Sequence, residues 1–374
     1  MYQTANLSIF PDTFYLRLDP AFRNELFNDL ILAFDGITNA ARKLDIHCAS
    51  LIEWKNGIKC LPLKVFRLIA QLLNKPLYEM EKGVIGVKAS RYCKDTINLK
   101  FPIKINEDWA YLSELIRTDG HINRSNQIFI VNTNVDVIRC ANQLFVQVGV
   151  PNNKVKIHQR KDRTFVVSVL NVTLGSIFST LFQIPRGNKS GFVRIPEFIS
   201  KSPYIVRCAA LRGTFDGDGA VDVVSKQIDF RSKNTKYLED IKHLLKSFGI
   251  NSHVDQGGER QRLRISHELN IRKFQTLIGF NHSKRKQKLA KLLSSYKFHM
   301  SPYGKAKEVI LKTIAELGKC SRFQIAKKIQ KHPDWVKNLL RELLQLSLVA
   351  VDKHKLPYVY SLTQNGTTFL EEVK

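Results

Sequence analysis

Apolar residues recur along this chain with two periods, one helical and one strand-like, and the order in which those periods alternate repeats itself. A helical stripe made of Leu112, Leu115 and Ile116 ends at Asp119-Gly120. Two alternating runs (121–124 and 128–132), an amphipathic helix (135–148), two more runs (154–159 and 165–170) and a last helix (174–182) are predicted after it. A second stripe, Leu211, Thr214 and Phe215, ends at Asp218-Gly219, and the same succession follows: runs at 220–224 and 228–232, a helix at 237–248, a weak strand near His253, a run at 262–266 and a helix at 271–278. The segments AYLSELIRTDGHI (110–122) and AALRGTFDGDGAV (209–221) carry the likeness 99 residues apart, the size of one small duplicated α+β unit of order αββαββα.

On either side the pattern changes. GITNAARKLDIHCASLIEWKNG and LPLKVFRLIAQLLN predict three short helices with breaks at Gly57 and Pro62, and 303–374 predicts three helices, two strands and a last helix. TINLKFPIKI alternates like a strand inside the segment joining the first helices to the repeat. The expected organisation is a helical domain at 1–76, a linker at 77–104, repeat one at 105–200, repeat two at 201–297 and a further domain at 303–374.

A length of 374 residues with 44% hydrophobic composition suffices for two or three separate cores. The 59 Lys and Arg against 33 Asp and Glu leave +26, an excess that repels itself on folding and calls for a polyanionic partner, nucleic acid first. No apolar run approaches the roughly 18 residues of a bilayer span, and neither a basic amphipathic surface helix nor a lipid-anchor motif is found, so no membrane partner is expected. The opening MYQTANLSIF lacks the regions of a signal peptide, which predicts a soluble, intracellular, DNA-associated protein. Six scattered cysteines without a C-x-x-C pair suggest neither a zinc site nor a disulfide framework. IPRGNKS lacks the G-x-x-x-x-G-K pattern, so no nucleotide cofactor is expected.

The repeated stripe carries chemistry. Asn106 is placed to cap the first helix, and Ser202, followed by Pro203 at the first helical position, to cap the second. Gly213 and Gly217, four apart, would let a partner helix come close. If the two helices lie side by side in one direction, Asp119 and Asp218 meet at ends that already carry about half a negative charge each. Two carboxylates there repel unless a proton or cation intervenes, and Mg²⁺ (or another divalent cation) bound by one or two carboxylates, water and phosphate oxygens answers that need.

LSELIRTDG (112–120) and LRGTFDGDG (211–219) resemble the two motifs of single-chain LAGLIDADG homing endonucleases, and the resemblance extends over about residues 105 to 295. It implies a pseudo-two-fold pair of units forming a DNA-binding saddle, and a site-specific double-strand DNA endonuclease. Asp119 and Asp218 are then the catalytic metal ligands, and Asp216 is less directly involved. Lys189 in IPRGNKS and Lys286 in HSKRKQKL match basic residues that would polarise the attacking water or stabilise charge on phosphorus, while Thr133 and Lys233 match water-holding positions. Glu114 stands where the family prefers a small residue and Thr118 where it has Gly or Ala. A carboxylate in a helix seam costs heavily unless paired, and Arg117 and Arg212 are the available partners. A DNA-binding transcriptional regulator using a non-cleaving scaffold, as in bacterial sporulation regulators with a degenerate LAGLIDADG domain beside a helix-turn-helix, is the alternative; an RNA maturase is a third reading.

Alternation puts Lys154, Lys156 and His158 on one face opposite Val155 and Ile157, and Arg262 and Arg264 opposite Leu263 and Ile265, with Arg231 outward in the same way. Together with Lys233 these are the expected groove-facing cations. The N-terminal segment resembles a phage-repressor-type helix-turn-helix, which nominates His47, Ser50 and Glu53 for base edges and Trp54 for the core. Residues 303–374 resemble a winged helix-turn-helix, with Lys337, Asn338 and Arg341 sharing an exposed face of its recognition helix. With Met1 opening the chain and Lys374 closing it, and no splice-junction Cys, Ser or His-Asn, the expectation is a free-standing monomer rather than an intein.

Overall fold

A group of helices around a small three-stranded sheet precedes the repeat. Strand β1 (Tyr15–Leu18) pairs antiparallel with β2 (Leu61–Pro62) on one side and β3 (Val84–Lys88) on the other. Between them run α1 (Pro20–Ala33), α2 (Ile37–Lys43) and α3 (Cys48–Lys55), and α4 (Leu63–Leu72) follows β2. Asp19 caps α1 by accepting from the Ala21 and Phe22 N–H groups, and Pro20 takes the first helical position, where its missing donor costs nothing. The three predicted helices are α2, α3 and α4; α1 has no clean stripe, since it buries Leu26, Phe27 and Leu30 yet leaves Leu32 80% exposed. The segment expected to be a linker contributes β3 to this sheet, and its Ala89 N–H donates to Thr173 Oγ1 of repeat one.

The computed structural model describes residues 2–93, 96–187, 191, 193–255, 261–296, 306–352, 354 and 356–372, and divides into two compact units, Met1–Leu293 and Ser294–Lys374. In the first unit, repeat one runs α5 (Glu107–Thr118), β4 (Gly120–Ile122), β5 (Ile128–Asn132), α6 (Val135–Gln147), β6 (Val155–Gln159), β7 (Phe165–Val169) and α7 (Val172–Leu181). Repeat two runs α8 (Tyr204–Asp218), β8 (Gly219–Asp222), β9 (Gln227–Ser232), α9 (Thr235–Ser247), β10 (His253–Asp255), β11 (Gln261–Ile265) and α10 (Glu268–Leu277), followed by α11 (Ser283–Ser294). The antiparallel sheets have one strand order, β4-β5-β7-β6 and β8-β9-β11-β10.

Asn106 caps α5 through the Trp109 N–H, as expected, but Ser202 does not cap α8: its hydroxyl donates to the Phe198 carbonyl and Pro203 occupies the cap. Each sheet buries one face, with Ile128, Ile130, Val167 and Val169 inward in repeat one and Ile228, Phe230, Leu263 and Ile265 in repeat two. Aromatic rings pin each motif helix to its own unit. Trp109 lies 5.4 Å from Phe178 and 6.0 Å from Phe182, and Phe215 lies 5.7 Å from Phe230 and 4.9 Å from Phe274. Lys154 closes a short 3-10 turn ahead of β6 and does not belong to that strand.

The second unit contains α12 (Ala306–Leu317), β12 (Cys320–Ser321), α13 (Arg322–Lys328), α14 (Pro333–Gln345), β13 (Val349–Asp352), β14 (Val359–Leu362) and α15 (Gln364–Glu372). Its sheet order is β12-β14-β13, and Ile310, Leu311, Ile314, Val336, Leu340 and Leu343 lie in its core. A capping box of Ser321 and Gln324 starts α13. Among the described residues no helix is long and apolar enough to cross a membrane.

Candidate functional site

The seam between α5 and α8 sets the site. A Cβ on Gly213 would overlap the Tyr111 carbonyl, and one on Gly217 would overlap the Thr118 hydroxyl, so two glycines one turn apart let the helix backbones touch. Position 213 faces 111 and position 217 faces 118, so the helices run in the same direction and end together. Asp119 closes α5 and Asp218 is the last residue of α8.

Asp119 is half-buried, and its Oδ2 accepts from Asn132 Nδ2 at 2.5 Å. The same amide nitrogen lies 3.3 Å from the Asp216 carbonyl, while Asn132 Oδ1 accepts the Asn134 N–H at 2.7 Å. Asn132 therefore orients Asp119 and ties the end of β5 to the opposite helix. Asp218 is exposed on the wall of a cavity of about 350 Å³, beside Arg117, Thr118, Arg231, Lys233 and Tyr237.

A guanidinium stands among these carboxylates. Arg285, in the first turn of α11, donates from Nη1 to the Phe215 and Asp216 carbonyls at 2.7 and 2.5 Å and from Nη2 to the Gly217 carbonyl at 2.7 Å. These are last-turn carbonyls beyond the reach of the helix's own N–H groups; the Phe215 carbonyl also accepts the capping Gly219 N–H, and the Asp216 carbonyl the Asn132 amide. Burial pushes Arg285 below its ordinary pKa and Asp119, Asp216 and Asp218 pull it back up. It keeps its proton in any case, since guanidinium is not deprotonated in proteins.

Two buried carboxylates complete the seam. Glu114, fully buried, binds Arg117 Nε at 3.1 and 3.2 Å and accepts from Tyr237 Oη at 2.9 Å. Burial pushes its carboxyl up, and Arg117 and Tyr237 hold it down. Arg117 also donates to the Phe182 carbonyl at 2.8 Å, whereas Arg212 donates to the Ile278 carbonyl. Of the two expected partners, then, Arg117 takes Glu114, and each arginine closes the last helix of its own repeat. Asp216 accepts from Tyr111 Oη at 2.9 Å and from the Asn281 and His282 N–H groups at 3.0 Å. Burial raises its carboxyl against those bonds. His282, buried beside Arg285, is lowered to about 4 by desolvation and that positive charge.

The predicted cations fare unequally. Lys189 lies outside the described residues. Lys286 is exposed on α11, and it is its neighbour Arg285 that reaches the end of α8. A sequence signal for this existed: counted from the Thr-Leu pairs at 180–181 and 276–277, position 189 falls opposite Arg285. Thr133 and Lys233 are exposed just past the second strand of each repeat, but Asn132, one residue earlier than Thr133, makes the bond to Asp119. Lys154 is half-exposed, and Lys156, His158 and Arg231 are exposed. Arg262 is bound by Asp229 through two bonds of 2.9 and 2.6 Å, and Arg264 pairs with Asp255. The outward face of the repeat-two sheet is therefore not the uniformly basic face expected, because diagonal cross-strand carboxylates offset two of its three arginines.

In the N-terminal part, His47 is exposed at the start of α3 and its Nδ1 accepts the Ala49 N–H, Ser50 is half-exposed, and Glu53 pairs with Lys59 at 2.7 Å. In the second unit, Asn338 and Arg341 are exposed on α14 and Lys337 is half-buried.

Residues 206–279 match the model of a LAGLIDADG-like domain. Similarity to curated proteins extends over 121 residues of elongation factor 2 from Methanopyrus kandleri (29% identity, 32% of this chain and 9% of the relative). It extends over 222 residues of a probable translation initiation factor IF-2 from Thermococcus kodakarensis (28%, 58% and 18%) and 207 residues of glutamine–fructose-6-phosphate aminotransferase from Methanocaldococcus jannaschii (25%, 53% and 18%). The chain thus spans less than a fifth of the length of these relatives. Similar solved structures include I-DmoI in complex with DNA and Mn (20% identity, 47% of this chain and 98% of that one, TM-score 0.36) and full-length DUF199/WhiA from Thermatoga maritima (14%, 64% and 92%, TM-score 0.37).

Proposed function

We propose that residues 105–297 form a pseudo-two-fold pair of LAGLIDADG units whose outward sheet faces lie along duplex DNA, and that the protein hydrolyses one phosphodiester on each strand. The observation that carries this reading is the convergence of Asp119 and Asp218 at the touching ends of two parallel helices. A chain that only bound DNA would gain nothing from carboxylates beside phosphates. The matched segment is a small part of proteins with unlike names, which supports a module whose activity is its own.

The residues present fit a divalent cation such as Mg²⁺. Asp119 and Asp218 offer hard oxygens at two helix C-termini, where the backbone favours positive charge. Among the described residues no group of three or more His, Cys, Asp or Glu is placed to hold a metal, so the remaining ligands would be water and phosphate oxygen. When bound, the ion would supply Lewis-acid polarisation of the phosphate and an acidified water. Asn132 holds Asp119 in place, and Arg285 fixes the carbonyl end of α8, limiting the negative charge the site presents to a phosphate. Lys233, on the cavity wall with Asp218, is positioned to face developing phosphate charge. The helices at 1–76 and the Ser294–Lys374 unit lengthen the recognised site in this proposal.

A second reading, a non-cleaving DNA-binding regulator, is favoured by one specific observation: Arg285, fixed on the Phe215, Asp216 and Gly217 carbonyls, already brings a positive charge to the end of α8. The experiment incubates the protein with a randomised duplex library and Mg²⁺ and sequences new ends, with Asp119→Asn and Asp218→Asn as controls. New ends that vanish in both variants establish the nuclease. Retained duplex binding with no ends leaves the regulator.

A further inference from the structure

Strand register makes the two outward sheet faces chemically different. In repeat one, the row His121–Phe129–Ser168–Lys156 crosses the sheet, with Val131–Val166–His158 beside it. Phe129 and Val131 are half-exposed, and His121 stacks on Phe129 at 5.1 Å and 14°. The centre of this face is uncharged, with Val166 and Ser168 buried and the Phe129 and Val131 side chains partly open, and its cations Lys156 and His158 lie on an edge strand. In repeat two the corresponding rows are Ala220–Asp229–Arg264–His253 and Arg231–Arg262–Asp255. Its centre is a lattice of arginine and aspartate, with Arg262 held by Asp229, Arg264 by Asp255, and Arg231 exposed.

On the reading that these faces lie in the major groove, we infer that the protein recognises an asymmetric site: thymine-rich beneath repeat one and G·C-rich beneath repeat two, with Phe129, Val131, Arg231, Arg262 and Arg264 as the residues that set the difference. The thymine 5-methyl is the one apolar feature of the major-groove base edges, and Phe129 and Val131 are the apolar side chains free to meet it. Guanine offers two acceptors in a plane, the arrangement that a guanidinium already fixed by a carboxylate can address bidentately, and aspartate can accept from the cytosine amino group. Thymine offers these carboxylates no donor in the major groove, only an O4 acceptor and a methyl, which strengthens the discrimination against it.

The test selects sites from the randomised library by binding in Ca²⁺, then replaces thymine by deoxyuridine in one half-site at a time. The variants Phe129→Ser and Arg231→Ala identify which half lies under which repeat, by the half whose selected bases they change. The expected result is a loss of about fourfold in affinity per contacted methyl in the repeat-one half, abolished in Phe129→Ser/Val131→Ser, and no loss in the repeat-two half. Retained binding with equal deoxyuridine effects in both halves, or none in either, overturns the inference and leaves the DNA-binding reading standing. Failure to select any duplex overturns both.

Discussion

Gly217 and Thr118 face each other across the α5–α8 seam with no room for a methyl group between them, and Gly213 stands in the same relation to the Tyr111 carbonyl. The two contacts differ in what can yield. Thr118 is a side chain at a helix end, whereas the Tyr111 carbonyl is backbone in mid-helix. Gly213→Ala should cost more than Gly217→Ala, with both in the overpacking range of about 1 to 3 kcal/mol or above, and Thr118→Ala should recover part of the Gly217→Ala loss alone. Chemical denaturation of the four variants measures this, and equal costs without rescue would contradict the seam geometry.

Arg285→Met takes one donor from each of three carbonyl oxygens of α8, leaving Phe215 its bond from Gly219 and Asp216 its bond from Asn132, and removes the positive charge beside three aspartates. A destabilisation of about 3 kcal/mol is expected. Conversely, Mn²⁺ or Mg²⁺ should stabilise this variant more than the parent in thermal melts, because an added cation then replaces the lost charge. A metal response identical in the two proteins would separate Arg285 from the acidic centre.

The buried Glu114–Arg117 pair should be strongly non-additive. Arg117→Met leaves an unmatched buried carboxylate and should cost about 3 to 5 kcal/mol, while Glu114→Leu/Arg117→Met should cost less than Arg117→Met by itself. A double-mutant cycle reports the coupling directly. Additive losses would mean that the pair is solvated in a way its complete burial denies.

Acid should weaken the fold through His282. Its native pKa of about 4 lies below the ordinary 6.5, so on acidification the unfolded chain takes up this proton first. The associated stability is complete above 6.5 and is lost progressively as pH falls towards 4, by at most about 3 kcal/mol. Asp216 and Glu114, both raised, act in the opposite sense in acid, so the parent profile alone does not isolate the histidine. His282→Asn keeps an acceptor for the Arg285 N–H and removes the titration. The difference between the two proteins' stabilities should therefore change across that window and be flat above it.

Much of this architecture was legible because the repeat states it twice. The DG-terminated stripes placed Asp119 and Asp218, and the switch from helical to alternating periods placed the strands within a residue or two. What periodicity missed has a common cause: interactions that depend on a third element. Helix α1 was invisible because it is apolar around much of its circumference. Arg285 was passed over for Lys286 because one residue of helix turns a side chain by about 100°, and only the position of α11 against α8 decides which cation faces the carboxylates. The carboxylates on the face of repeat two leave no such trace, because Asp229 and Asp255 lie on strands adjacent to the arginines they pair with, at sequence distances where no pattern links them.

The match to the LAGLIDADG-like domain stops at residue 279, six residues before Arg285. A fragment cut at that boundary would retain both terminal aspartates and every strand of the second sheet, yet lose the guanidinium that bridges the Phe215, Asp216 and Gly217 carbonyls. The smallest piece of this chain able to present an intact acidic centre must therefore run on through α11, so a truncation designed from domain limits alone would sever the keystone from its arch.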